Sequence, residues 1–432
     1  MPISRMRILK TSARAPFMDG YSATAVPDLP SWLIAMKRRA MAAYAESFDA
    51  SILNPEVARF ISRGGFSERP AKPFLPSSEL SSYEFFDVEA YTIVLVNGMY
   101  MPELSSEEEM PFSVYSDGFL NATKDWPDSP LKDALSVGED ILSMLNSAYM
   151  RDGAVVRVAA GEKLSRPIHI ISLATPGAER SFMNPRIAIK LGEGAEASII
   201  ETVLSLEGAE YFSNRVAELF LGAGSRLFHY RYFDASPSSC EAEIAYVSMA
   251  GGADYRNFSY VRRAGVFDGR IRISMDAGAK SSVHFAAAAS RESDVSYDAS
   301  VRLDGSYASH ESSLAAAVFD HARANLATSL STSRGIRGAE VRQASRILLA
   351  SDAARGRIMP RQSVSSEGVK AFHGAGVSGV DKEELFFLQS RGIDENAARK
   401  ALSQSLLSSQ FAHIADADIA GEYARMIMAE NP

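Results

Sequence analysis

Only one cysteine stands in the 432 residues. A disulfide framework and a self-contained thiolate metal site both need several sulfurs, so both are excluded. A reducing compartment, the cytoplasm, suits such a chain. Charge of one sign is scarce as well: 45 Lys and Arg face 53 Asp and Glu, a net −8. That balance argues against a dedicated nucleic-acid binder, whose footprint is a clustered basic surface. No apolar run approaches the ~18 residues that span a bilayer, and no membrane partner is expected. The clean run from Thr92 to Val96 is strand-sized. There is no Gly-Lys dipeptide and hence no P-loop. H-E-x-x-H, C-x-x-C, an EF-hand loop and G-x-S-x-G are missing too.

What is present is ordinary globular composition, 46% hydrophobic and 23% charged. The length suits two or three domains, or one solenoid. Arg5, Arg7, Lys10 and Arg14 precede the first acid, Asp19, which has some flavour of a transit segment. A frayed terminus is the simpler reading. From Asp28 to about Phe48, Trp32, Met36, Ala40, Tyr44 and Phe48 fall near one helical face, with Pro30-Ser31 at the start. Residues 64–82 are rich in Pro, Ser and Gly, with Pro70, Pro73 and Pro76 three apart, which reads as a linker. Tyr91 to Val96 then predicts a strand, and Asn97-Gly98 a tight turn into Met99 to Met101. Ser129-Pro130 is expected to open a further helix carrying Ile141, Met144, Leu145 and Tyr149.

Beyond Gly153 short alternating strands are separated by glycine, as in Val155 to Val158, Arg226 to Phe233, Arg270 to Met275 and Val301 to Asp304. Gly194, Gly224, Gly252, Gly278, Gly305 and Gly335 are spaced by 30, 28, 26, 27 and 30 residues. A period near 28 with small residues at each corner predicts stacked rungs of a β-solenoid. Glycine supplies the positive φ that sharp corners demand. A β-sandwich competes, but needs no such superimposed period.

The last fifty residues are helical. Asp381 to Glu384 has capping-box spacing, Arg391-Gly392 ends that helix, and Asp394 starts another. Leu385, Phe386 and Leu388, then Ala398, Ala401, Leu402 and Phe411, and finally Ile419, Tyr423 and Ile427 are the apolar positions. Three parts follow: residues 1–88, helical with a linker; 89–379, a β-helix core with a helical insertion near 130–150; and 380–432, helical. An open terminal rung is an unpaired sheet edge, so the flanking helices are expected to cap the stack. Any rung left uncovered would invite another solenoid by β-augmentation.

Gly192 to Ala197 nominally matches G-x-G-x-x-A, but a strand rather than a helix follows, so it marks a turn. His229 and His284 lie in alternating strands and read as satisfied wall positions. His310 and His321 flank an Ala-rich strand, and Asp320 beside His321 is suggestive without a second acid. His373 sits among small residues in KAFHGAG, where the solenoid pattern gives way to helices. It reads either as a turn or interface histidine or, when neutral, as a metal ligand. Cys240, near an expected turn, reads as an inert half-buried thiol.

Several stretches together resemble the SufB/SufD family of the SUF iron–sulfur assembly system. They are Leu95 to Leu104, Leu145 to His169, Asn184 to Glu196, and Leu221 to Leu227 with His229-Tyr230-Arg231. The most specific is C-terminal: SEGVKAFHGA from Ser366 to Ala375, then Asp381 to Leu388 and Ser390 to Ile393. The resemblance covers about residues 90 to 430 and is weak over the first 85, where the family's Trp-Lys/Arg-Tyr motif is not found.

The resemblance implies a mainly β fold, a right-handed parallel β-helix flanked by N- and C-terminal helices. It implies a non-enzymatic scaffold that pairs with a SufB-like chain through the β-helix and binds a SufC-like ABC ATPase through its C-terminal helices. A homodimer is left open, since like pairs with like at such an edge. His373 matches the family histidine at the pairing interface, a candidate ligand for iron or a nascent cluster. Lys370 and Ala371 would join it there, and Leu385, Phe386, Phe387, Leu388 and Arg391 would meet the partners. No cofactor is implied for this chain alone. A cluster would be held transiently in the complex, where there is also room for a reduced flavin. One departure matters: the family's cysteine two residues before the histidine is Ala371, and its acidic pair is Glu367-Gly368. Thiolate ligands would have to come from elsewhere. The competing reading is a β-helix carbohydrate lyase or hydrolase, yet Asp298, Asp304 and Asp320 form no recognisable pair. A purely structural, polymerising β-helix is a third.

Overall fold

The structure, a computed structural model, describes residues 15–19, 21–26, 29–49, 51, 53–67, 88–106, 111, 114–118, 140–177 and 179–429. The basic stretch over 5–14, the spaced prolines and the expected helix start at Ser129-Pro130 lie outside these residues.

From Gly153 to Gly379 the chain alternates between two sheets, one of eleven strands and one of ten, with Arg180–Met183 and Arg186–Leu191 following one another in the eleven-stranded sheet. Every ladder between strands of this stretch is parallel, which excludes the sandwich and leaves a flattened solenoid of about eight turns. Down one sheet Glu196, Arg226, Asp254, Lys280, Ser309, Glu340 and Lys370 stand in register, so successive turns add 30, 28, 26, 29, 31 and 30 residues. Tyr91–Val96 and Met99–Tyr100 form the expected hairpin about Asn97-Gly98, with φ of 49° and 78°.

Corner glycines serve two different purposes. Gly194, Gly224, Gly252, Gly278 and Gly335 all adopt φ between 63° and 80°, where a Cβ is disfavoured. Gly305 departs from that series. The left-handed position of its turn is Tyr307 (φ 62°), while a Cβ on Gly305 would lie 2.0 Å from the Ala277 nitrogen of the turn below. It is small because backbones meet, not because φ is positive.

Among the described residues the helices lie on the flat faces of the stack. On the eleven-stranded sheet lie α1 (Ser31–Ser47), α2 (Pro55–Ser62) and α3 (Ile141–Tyr149). The buried face of α1 is Leu33, Met36, Lys37, Ala40, Met41 and Tyr44, and Trp32 is only partly covered. Asp140 caps α3, accepting from the Leu142 and Ser143 amides. Beneath it Arg186 makes a bidentate pair with Glu218 at 2.6 and 3.0 Å, both almost fully buried.

On the ten-stranded sheet lie α5 (Glu395–Ser408) and α6 (Ala417–Met428), while α4 (Lys382–Ser390) packs against α5. Phe411, Ile419, Tyr423 and Ile427 cover Tyr230, Tyr232, Phe258 and Tyr260 of the sheet's outer face. The reason is in the strands: outward positions of the middle turns are aromatic, and only helices with an apolar stripe can bury them. Leu407 joins that packing and Ala398 is buried, whereas Ala401 is exposed. The expected stops hold: Asp381 accepts from the Glu383 and Glu384 amides, Gly392 (φ 85°) ends α4, and Asp394 accepts from Ala397. Among the described residues no helix is long and apolar enough to cross a membrane.

Candidate functional site

Among the described residues the last two strands, Arg355–Ser363 and Gly368–Gly379, end their sheets and are paired on one side only. Most of their residues are exposed, including the apolar Phe372 (55%) and Val377 (43%), with Val364 (41%) between the two strands. An edge of two long strands, carrying apolar side chains and unpaired backbone groups, is what natural sheets usually avoid or cover. In the strand Gly368–Gly379 odd-numbered positions face the lumen, since Val369 and Ala371 pack on the core. His373 shares that parity and is exposed, with no further turn above it among the described residues. Lys370 and Phe372 face outward, and the Arg342 guanidinium lies 5.6 Å from the Phe372 ring.

A second exposed patch is on α4. Phe386 (72%) and Phe387 stand in solvent, Leu385 and Leu388 are half-buried, and Arg391 lies over the Phe387 ring at 4.4 Å. The expected interface residues therefore form two patches. Among the described residues no hydrogen bond or ring contact joins the histidine strand to the helix.

The lumen of the middle turns holds charge instead. His229 bonds the Glu201 carboxylate at 2.6 Å and the Tyr255 hydroxyl at 3.0 Å. Arg231 forms a bidentate pair with Glu243 and lies 3.7 Å from Glu201, which Arg215 approaches at 3.6 Å. Burial alone would raise the Glu201 carboxyl; Arg231, the His229 hydrogen bond and Arg215 outweigh it and hold it at about 2. His229 stays neutral, pushed down by burial. Glu241, bonded by Tyr211 at 2.7 Å, is pushed up by burial. Every charged member is matched by another inside the same network, so it reads as internal structure rather than a site open to substrate.

The other histidines divide as follows. His284 is on the outer face rather than in the lumen, stacked on Phe258 at 5.0 Å beneath the C-terminal segment. His310 faces the lumen, and His321 is exposed with Glu292 3.8 Å away. Asp320 accepts from the Arg291 amide, Asp298 pairs with Arg272 and Arg361, and Asp304 with Arg302. Those three carboxylates are separately engaged, which leaves the lyase reading without its acid–base pair. Among the described residues no group of three or more His, Cys, Asp and Glu could hold a metal ion. Cys240 is wholly buried within the strand Ser239–Met249 under the N-terminal helices, where burial pushes its thiol well up. It is more deeply covered than its place near a turn suggested.

Sequence reasoning missed Gln343, which stands in register beneath His373, and Phe372 with Arg342 beside it. Only the strand parity, invisible until the lumen is located, could have found Gln343.

Comparison with known proteins bears on the whole core. Residues 173–406 match the family described as SUF system FeS cluster assembly, SufBD core domain, and residues 79–170 match the SufBD protein N-terminal region. An iron–sulfur cluster assembly SufBD family protein of Synechocystis is 24% identical over 355 residues, 78% of each chain. The SufD protein of Escherichia coli is 22% identical over 319 residues, 73% of each chain. The chloroplastic protein ABCI7 of Arabidopsis thaliana is 22% identical over 303 residues, 62% of this chain and 58% of its own. The solenoid with its flanking helices belongs to a chain of the SufBD family of the SUF iron–sulfur cluster assembly system.

Proposed function

We propose that this chain is a non-catalytic scaffold subunit of SUF iron–sulfur cluster assembly that works in the cytoplasm. Its open last turn pairs with the corresponding edge of a SufB-like chain. Its α4 patch receives a SufC-like ABC ATPase, which supplies the nucleotide hydrolysis that a chain without a P-loop does not provide. The observation that carries this reading is the last turn itself. Two exposed strands with Val364, Phe372 and Val377 in solvent are covered at low cost only by another pair of strands. A nascent cluster is cargo at that seam. His373 would contribute one imidazole ligand, and sulfur ligands would come from the partner or from sulfide, because Ala371 carries none.

Co-expression with a SufB-like and a SufC-like chain tests this. A stable complex of all three is expected on size-exclusion chromatography. Phe372→Lys with Val377→Lys should release the SufB-like chain, and Phe386→Asp with Phe387→Asp should release only the ATPase. Isolation of the wild type as a lone monomer or as a homodimer under those conditions overturns the pairing. His373→Ala should leave the complex intact and lower cluster yield; an unchanged yield returns His373 to a structural role.

A further inference from the structure

The lumen directly beneath the last turn contains polar groups that the fold leaves unsatisfied. In the ten-stranded sheet Val283, Ser312, Gln343 and His373 form one in-register column, and His310 lies two residues before Ser312 on the same strand face. Ser312, Gln343 and His310 are 1%, 3% and 4% exposed. The Ser312 hydroxyl, both amide atoms of Gln343 and the Nε2 of His310 have no hydrogen-bond partner among the protein groups. A buried polar atom left unpaired costs roughly 1–3 kcal/mol, so four of them on two adjacent strands require an explanation.

We infer that these groups bind an internal water molecule. The Ser281 hydroxyl lies 3.1 Å from the Met275 sulfur, to which it gives its proton, and 2.7 Å from His310 Nδ1. Its oxygen therefore accepts the Nδ1 proton, leaving a lone pair on Nε2. Burial keeps this imidazole neutral. A water molecule offers two protons and two lone pairs. It donates to His310 Nε2 and Gln343 Oε1 and accepts from Gln343 Nε2 and Ser312 Oγ, at the upper end of the two to four bonds usual for buried water. No ion satisfies that mixed set, since Gln343 presents both a donor and an acceptor. Val283 stands one turn below Ser312 in the column, and Gln343 one turn below His373. Given the pairing proposed above, a docked partner seals this site from bulk solvent, and the water becomes the inner support of the Gln343 amide that faces His373.

Oxygen-17 magnetic relaxation dispersion on the purified chain counts long-lived internal waters without any partner. The wild type is expected to hold one more than Gln343→Leu, and Ser312→Ala should shorten its residence time if the leucine variant does not fold. A high-resolution crystal structure should place a water within hydrogen-bond distance of Gln343 and of His310 or Ser312. Equal counts in wild type and a folded Gln343→Leu, or direct bonds among the three side chains, overturn the site. These arms leave the pairing untouched. In the assembled complex the residence time should lengthen severalfold, and an unchanged value there overturns the sealing.

Discussion

The middle turns and the last turn are built from the same repeat, yet they solve opposite problems. In the middle, strands are paired on both sides, the outer faces lie under helices, and the lumen around Glu201, Arg231 and Glu243 is charged but internally matched. At the end, the lumen-facing column finishes on an exposed imidazole, and Phe372 and Val377 stand in water. A charge buried with its partner and an apolar group left exposed are both unfavourable by composition alone. The first is tolerated because its partners are within the chain; the second stays in solvent, as on a surface open to association.

The comparison breaks most severely inside. Arg231→Met strands Glu201 and Glu243 in the lumen and should destabilise the fold by about 3–5 kcal/mol in urea denaturation. A loss under about 1 kcal/mol would mean that the network is hydrated and not closed. Next come the corners. Gly305→Ala forces backbone apart at the Ala277 contact and should cost about 1–3 kcal/mol. Gly194→Ala meets open space and should lose only about 1–2 kcal/mol of left-handed preference.

Acid sharpens the contrast by a different route. Burial holds His169 and His310 near 3, so the folded chain leaves them neutral while the unfolded chain takes up protons below 6.5. The unfolded state then binds more protons, and stability falls as pH drops from 6.5 towards 3. The limiting slope is about 1.4 kcal/mol per pH unit for each histidine. Denaturation at pH 7 and pH 5 should show that loss, and His169→Gln should flatten it. A flat profile in the wild type would place both imidazoles in water. The smallest effect belongs to the end: Phe372→Lys should change the stability of the isolated chain by no more than about 0.5 kcal/mol, measured by the same denaturation, while abolishing pairing.

Much of this was legible in the sequence because the signals are local. Corner glycines, the Asn97-Gly98 turn and the Asp381 and Asp394 caps each depend on a few neighbouring residues, and spacing reveals them. Gly305 misled because spacing does not separate a glycine needed for φ from one needed for room. Alternation in Arg226 to Phe233 showed two unlike faces but not which was the lumen. Here the aromatic face is outward and His229 and Arg231 are inside, against the ordinary expectation. That inversion is also why the helices lie on the flanks: the aromatics there needed cover. Of the candidate site, His373 and the α4 aromatics were visible as motif and stripe, whereas Gln343 depended on a register set thirty residues away.

The unequal lengths of the turns have one more consequence. Turns of 26 to 31 residues keep register along the strand centres, so the surplus is taken up at corners and at two bulges beside them, Phe233/Asp234 and Arg337/Ala339. The solenoid is therefore a ruler graduated in strand spacings. His229 and His373 are five graduations apart, through Asn257, Val283, Ser312 and Gln343, which sets them ~24 Å from each other. Corner insertions would not alter that distance; only adding or deleting a whole turn would.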